Sequence, residues 1–259
     1  MPLEGKIVAL TGGSGGIGKH LADLLRGEKA DIVSIGRSPG TVEGSLSVIA
    51  DLGTDDGLAT ASAAIAKVEP DIIVHLAGVQ YFGRFADQPE QQMLAGYRVN
   101  LMAPALLTKA AMPGMLQRGS GHVLFAGSVF GGIPFAHFAA YSSAKAGLAA
   151  LCAALEREYA GSGIVFTCAV PRAVSTAMAT PQIRQFAAMA GFRFDDPALI
   201  ARRLLAVLKA GGGKVGPGFP ESLFIRLSAI APSLVSRGLA AGDRKARKLL
   251  AASTHVQPE

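Results

Sequence analysis

Short runs of aliphatic residues, many of them β-branched, alternate along the chain with longer stretches whose apolar residues recur at helical spacing. The runs at residues 7–10, 32–35, 47–50, 72–75, 123–126 and 165–169 read as strands. The stretches at 19–26, 58–67, 91–115 and 142–159 read as helices between them. Such alternation is the signature of parallel βαβ units with helices on both faces of one sheet. The expectation is an α/β fold: a doubly wound parallel sheet, Rossmann-like, in a single domain over residues 1–259. No repeat, low-complexity tract or linker divides it. Beyond Thr176 the alternation stops, and helical segments follow at 181–190, 197–210 and 221–239, broken by the loop GGGKVGPG. A helical C-terminal extension is therefore expected.

Composition sharpens this picture. Half of the 259 residues are hydrophobic and 17% are charged, which suits a large core and excludes a disordered chain. Cys152 and Cys168 match no metal spacing and read as small core residues, so no metal is expected. The first strand begins almost at the N-terminus, with no room before it for a signal peptide. No uncharged apolar stretch reaches the ~18 residues of a membrane span. A cytoplasmic protein is expected. The net charge of +6 is uneven: residues 1–200 sum to −1 and residues 201–259 to +7. The basic character belongs to the C-terminal segment, and no nucleic-acid partner is expected from it.

TGGSGGIG, Thr11 to Gly18, follows the first strand directly and opens a helix. Gly12, Gly16 and Gly18 would let the backbone turn tightly and approach a pyrophosphate, with Ser14 and Ile17 in the same turn. The alternative is a strand-to-helix turn with no ligand. The second strand ends in IVSIGRS, where an NAD-preferring site usually has an acid for the ribose 2′-hydroxyl. Arg37 and Ser38 stand there instead, and a cation with a hydroxyl suits the 2′-phosphate of NADP(H). Asp51 and Leu52, after the third strand, are candidates to face the adenine. Ala77 and Gly78 end the fourth strand, where small residues would let a dinucleotide lie close. His75 before them reads as a hydrogen-bonded packing residue.

Ser128, Tyr141 and Lys145 form the constellation that carries chemistry. Tyr141 and Lys145 are four residues apart on a helix, hence on one face. A free phenol has a pKa of about 10, too high for ready proton exchange at neutral pH, and a neighbouring ammonium is expected to lower it. Ser128, at the end of a strand, could hydrogen-bond a substrate carbonyl. With these motifs the sequence resembles the short-chain dehydrogenase/reductase family from Lys6 to about Ala210, including Asn100 in YRVNLMAPALLT and PRAVST from Pro171 to Thr176. The resemblance implies Tyr141 as general acid/base, Ser128 as carbonyl orienter, and Lys145 as tuner of Tyr141 and holder of the nicotinamide ribose. It further implies that Asn100 positions a water in the proton relay. Pro171, Val174 and Thr176 would hold the nicotinamide carboxamide.

Two departures from the family pattern stand out. His75-Leu76-Ala77-Gly78 replaces the usual Asn-Asn-Ala-Gly, and GGGKVGPGFPESLF stands where many members have a last strand and a tetramer contact. A homodimer through helices 91–115 and 142–159 is expected instead of a tetramer. Residues 177–196 carry Met178, Ile183, Phe186, Met189, Phe192 and Phe194 and read as a substrate lid. An apolar carbonyl or alcohol (acyl, steroid-like or lipid-derived) is the expected substrate. Residues 220–251 pair apolar positions with Arg226, Arg237, Arg244, Lys245, Arg247 and Lys248. That extension could cap the site, lie on an anionic membrane, or simply pack on the domain. The leading expectation is an NADP(H)-dependent oxidoreductase. A cofactor-binding sensor or scaffold without turnover, or a peripheral membrane protein working through its extension, are the alternatives.

Overall fold

Six aliphatic runs pair in parallel to make one sheet in the order β3-β2-β1-β4-β5-β6. They are β1 (Ile7–Thr11), β2 (Asp31–Gly36), β3 (Leu46–Ile49), β4 (Ile72–His75), β5 (Gly121–Ala126) and β6 (Ile164–Ala169). The computed structural model describes residues 2–39 and 42–254, with side chains to residue 251. The four central strands are near-continuous hydrophobic runs because both faces of the sheet are covered. The fold is the doubly wound, Rossmann-like one expected from the sequence.

Two cores form, one on each face. On one side α2 (Asp55–Val68), α4 (Ala103–Arg118) and α6 (Ala139–Glu158) pack over Ile73, Val123 and Phe125. On the other, α1 (Gly16–Gly27) and α8 (Pro197–Ala210) pack over Val8, Leu10 and Val74. Local chemistry sets the helix ends. Thr54 caps α2 by accepting from the Gly57 N–H at 3.1 Å, and Asp196 caps α8 from the Ala198 N–H at 2.9 Å. Proline opens α7 (Pro181–Ala190) and α8, and left-handed Gly191 and Gly211 close them.

The stretch expected as one helix over 91–115 is three pieces. α3 (Glu90–Tyr97) runs into a wider π turn, Arg98–Met102, before α4 begins. The cause is Asn100, buried in that turn, whose Nδ2 donates to the Gly96 carbonyl at 2.9 Å and the Val79 carbonyl at 2.7 Å. Pro104, four residues on, has no N–H, so the Asn100 carbonyl lacks its usual α-helical donor. The helix expected over 221–239 is likewise split. α9 (Glu221–Ile230) ends at Ala231, and Pro232 opens α10 (Pro232–Thr254).

A third core contains no strand residue among its buried members. The four-residue turn α5 (Val129–Gly132), Phe135, Phe138, α7 and α10 enclose Phe82, Ile133, Ile183, Phe186, Val235 and Leu249. The segment 177–196 thus includes one helix, α7, which α10 packs against. Among the described residues the sheet has no seventh strand; the Val170 N–H meets the Val215 carbonyl at 2.7 Å where the loop passes β6. No helix of the described residues is long and apolar enough to cross a membrane.

Candidate active site

Parallel strands all end on one edge of the sheet, and the strand order reverses between β1 and β4. The groove outside their carboxyl ends is where such sheets take ligands. The glycine turn lies there, held by backbone proximity. A Cβ on Gly12 would sit 2.6 Å from the Ala77 N, one on Gly18 2.1 Å from the Gly12 carbonyl, and one on Gly16 2.8 Å from Thr176 Cγ2. Gly12 also has φ +71°, a left-handed conformation that favours glycine. Thr11 Oγ1 accepts from the Ala77 N–H at 3.2 Å and ties the turn to β4. Gly12, Gly16, Gly18, Ala77 and Thr176 therefore meet. Ser14 is exposed on the turn, and Ile17 packs inward against the second core.

The N-terminus of α1 follows Gly15, which offers no side-chain cap, and no acid occupies the first turn. Its N–H groups and positive dipole end suit an anion. Arg37 and Ser38 are exposed just beyond β2, and no acid stands between Gly36 and Pro39. Asp51 accepts from the Gly53 N–H at 2.9 Å and shapes the turn after β3. Leu52 is buried in the first core, which leaves its main chain as the part that can meet a ligand.

Lys145 is buried on α6, and its Nζ donates to the Ala126 carbonyl at 2.8 Å, beneath the end of β5. The ammonium lies 5.7 Å from the centre of the Tyr141 ring. Burial brings the Lys145 pKa down to about 8, with the Cys168 thiol opposing the shift. Ser128 lies two residues past β5 and caps α5, its Oγ accepting from the Phe130 N–H at 3.1 Å. Burial pushes the Tyr141 phenol above its ordinary value, while a hydrogen bond with Ser128 pulls it back. The lowering expected from Lys145 is therefore not found: burial outweighs the Ser128 hydrogen bond, and the phenol stands above its ordinary value. Gly78 joins the two halves: a Cβ there would lie 3.1 Å from Asn100 Oδ1 and 3.9 Å from Lys145 Nζ.

His75 is fully enclosed, stacked on Phe125 at 5.2 Å, with Nε2 3.1 Å from Thr108 Oγ1. Burial, aided by the Lys145 charge, lowers its pKa to about 3 and keeps the ring neutral. It is the packing residue expected from the sequence. Cys152 is a core residue and Cys168 packs beside it. No cluster of metal-binding side chains occurs among the described residues.

A pocket of about 240 Å³ opens beside Tyr141 and Asn100, lined also by Gln80, Tyr81, Gln88 and Gln92. Phe130 meets Tyr141 edge-on at 5.9 Å and continues into the rings of Phe135, Phe138, Phe82 and Phe186. Two arginines without a role in the sequence reading hold this end together. Arg172 grips buried Asp195 through both carboxylate oxygens and reaches Glu221 at 3.7 Å. Arg184 donates to the Ala179 and Thr176 carbonyls at 3.0 and 3.1 Å and to Ser175 Oγ at 3.3 Å. Their partners lie in loops or, for Glu221, at the start of α9, and no local pattern announces them. Pro171 and Val174 sit on the same segment, with the Val174 carbonyl accepting from the Thr176 N–H at 2.8 Å.

The family profile described as short chain dehydrogenase matches residues 6–186. The ketoacyl reductase HetN of Nostoc sp. is 29% identical over 255 residues, covering 93% of this chain and 85% of that protein. A 3-oxoacyl-acyl-carrier-protein reductase, FabG of Vibrio cholerae, is 29% identical over 188 residues, covering 69% of this chain and 77% of its own. Among solved structures, a short chain dehydrogenase from Burkholderia cenocepacia in complex with NADP superposes with a TM-score of 0.78. It is 17% identical and the match covers 92% of this chain and 99% of that one, a likeness of fold.

The glycine contacts generate a paired prediction. Gly18→Ala forces a methyl group onto the Gly12 carbonyl and should cost about 1–3 kcal/mol of stability. Gly27→Ala, on the same helix with nothing near its added methyl, should be neutral or stabilising by up to ~1 kcal/mol. Urea unfolding of both variants checks the contrast, and equal midpoints would overturn it.

Proposed function

The chain belongs to the short-chain dehydrogenase/reductase family, and on that premise we propose that it is an NADP(H)-dependent oxidoreductase interconverting an apolar ketone and a secondary alcohol, with Tyr141 as general acid/base. The family makes it an oxidoreductase that uses a nicotinamide dinucleotide. The observation that carries the finer reading is that Tyr141, hydrogen-bonded to Ser128 and with the Lys145 ammonium 5.7 Å from its ring, lines a pocket and meets Phe130 edge-on. Ketone chemistry also accords with the two relatives named as ketoacyl reductases.

The residues present fit the dinucleotide. The uncapped N-terminus of α1 would hold the pyrophosphate, Asp51 and Leu52 would flank the adenine, and Ala77 and Gly78 leave the groove open. Lys145 would hold the nicotinamide ribose, and Pro171, Val174 and Thr176 the carboxamide. When bound, the dinucleotide supplies or accepts the hydride. In reduction the substrate oxygen gains negative charge, and the Tyr141 phenol gives it a proton. A buried phenol with a raised pKa is protonated at neutral pH, which suits donation. Ser128 shares the same oxygen by hydrogen bonding and orients the carbonyl. Asn100 spends its side chain on Val79 and Gly96. Its main-chain carbonyl, lacking an α-helical donor, is the group assigned to hold the relay water near Lys145.

In this reading 177–196 is the lid over the substrate and 220–251 is its outer cap, both parts of the one domain 1–259. The assembly is a homodimer. Leu94, Met102, Leu106 and Leu116 leave an exposed apolar stripe on α3, the π turn and α4, the elements expected to pair. Leu106→Glu should convert the dimer to a monomer in light scattering. An unmodified protein that is already monomeric would remove the dimer from the reading.

Tyr141→Phe keeps the ring packing and removes the proton, so turnover should fall by ~10²–10⁴-fold with dinucleotide affinity nearly unchanged. Ser128→Ala removes the hydrogen bond that lowers the phenol pKa, so the pH optimum for alcohol oxidation should move upward. Both are measured by nicotinamide absorbance with a panel of apolar ketones and alcohols across pH. Near-normal turnover of Tyr141→Phe would place the proton donor elsewhere.

Cofactor preference follows from the turn after β2. Arg37 can pair with a 2′-phosphate there, with no acid to repel it, so the protein should prefer NADP(H) over NAD(H). Arg37→Asp should reverse or erase that preference in fluorescence titrations with NADPH and NADH. Equal affinity of the unmodified protein for both would sink the assignment.

A further inference from the structure

The outer side of the C-terminal extension differs from the rest of the surface. Phe219 is 78% exposed and Ile230 83%, and Leu223, Phe224 and Leu234 are exposed with them. Five large apolar side chains within sixteen residues form more than scattered surface hydrophobicity. Leu223, Arg226 and Ile230 recur at helical spacing along the outside of α9. Leu234, Arg237, Ala241, Arg244 and Lys248 do so along the outside of α10. The opposite stripe of α10, Val235, Leu239, Ala246 and Leu249, packs into the third core. The helix is therefore docked by one face and free on the other.

Charge identifies what the free face meets. Residues 220–251 hold six cations and two acids. Both acids are engaged elsewhere: Glu221 with Arg172, and Asp243 acting on His137 from a half-buried position. Among the described residues, Arg226, Arg237, Arg244 and Lys248 enter no ion pair. A second copy meeting this face symmetrically would set these cations against their own counterparts. A nucleic acid would neutralise the cations and leave the apolar side chains in water. A bilayer with anionic headgroups accommodates both. We propose that the outer face of α9 and α10 docks the protein on an anionic lipid surface, with Leu223, Ile230 and Leu234 entering the headgroup layer and Arg237, Arg244 and Lys248 meeting lipid phosphates.

The docked face lies over the lid, since α10 buries its other side against α7. The proposal is independent of the chemistry assigned to Tyr141, and its readout is vesicle binding rather than turnover. Full-length protein is sedimented with vesicles of phosphatidylcholine alone and of phosphatidylcholine with phosphatidylglycerol. Binding should be to the mixed vesicles and should weaken as salt is raised. Arg237→Ala with Arg244→Ala should reduce it by about 30-fold, at the usual gain per basic residue near an anionic surface. Ile230→Asp should abolish it, and this exposed position leaves the packing of the domain untouched. Circular dichroism of each variant shows that the fold survives. Failure to bind the mixed vesicles, or binding unchanged in both variants, overturns the proposal. So does a self-associated species in light scattering that Ile230→Asp dissociates, because the face would then serve a second copy.

Discussion

Three backbone segments touch at the carboxyl edge of the sheet, and the remaining architecture is arranged around that contact. The turn after β1 lies against Ala77 after β4 and against Thr176 after β6, with glycine at each point where a methyl group would collide. Because the strands are parallel, each strand delivers its next loop to this same edge. The first turn of α1, which follows this contact, has neither a side-chain cap nor an acid. The same contact sets Thr176, on the segment that carries Pro171 and Val174, against the glycine turn.

Around this contact the polar groups are placed by burial as much as by partners. Lys145 is held by the Ala126 carbonyl and Asn100 by two carbonyls, so neither depends on solvent for its position. His75, next to them beneath the sheet edge, stays uncharged and adds no competing proton near Lys145. The Tyr141 ring lines the pocket together with Asn100 and meets Phe130 edge-on. Tyr141 thus has Asn100 beside it in the pocket and the aromatic rings of the third core at its edge.

Much of this is legible in the sequence because the deciding interactions are local. The helices 181–190 and 197–210 have the same bounds in sequence and structure, since Thr-Pro and Asp-Pro open them and glycine closes them. The six strands are recognisable from their aliphatic runs to within two residues at either end. The same holds for the glycine turn and for Tyr141 and Lys145 on one helical face. What is hidden depends on distant partners. The π turn needs the Val79 carbonyl, which lies 21 residues from Asn100 in the chain. The grip of Arg172 on Asp195 and on Glu221 at the start of α9 joins three segments that no periodicity connects. The direction of the Tyr141 shift is set by enclosure, which spacing alone cannot express.

The third core has a consequence for how the molecule yields. Its buried members come from turns, α7 and α10, so it can open without breaking a single strand pair. The sheet strands contribute to the first two cores, while the aromatic rings beside Tyr141 belong to the third. In hydrogen exchange the amides of α7 and α10 would open by a subglobal route, ahead of those of β1, β4 and β5. The glycine turn thus rests on the cores that the sheet itself builds, while the aromatic rings at the edge of Tyr141 rest on a core without strands.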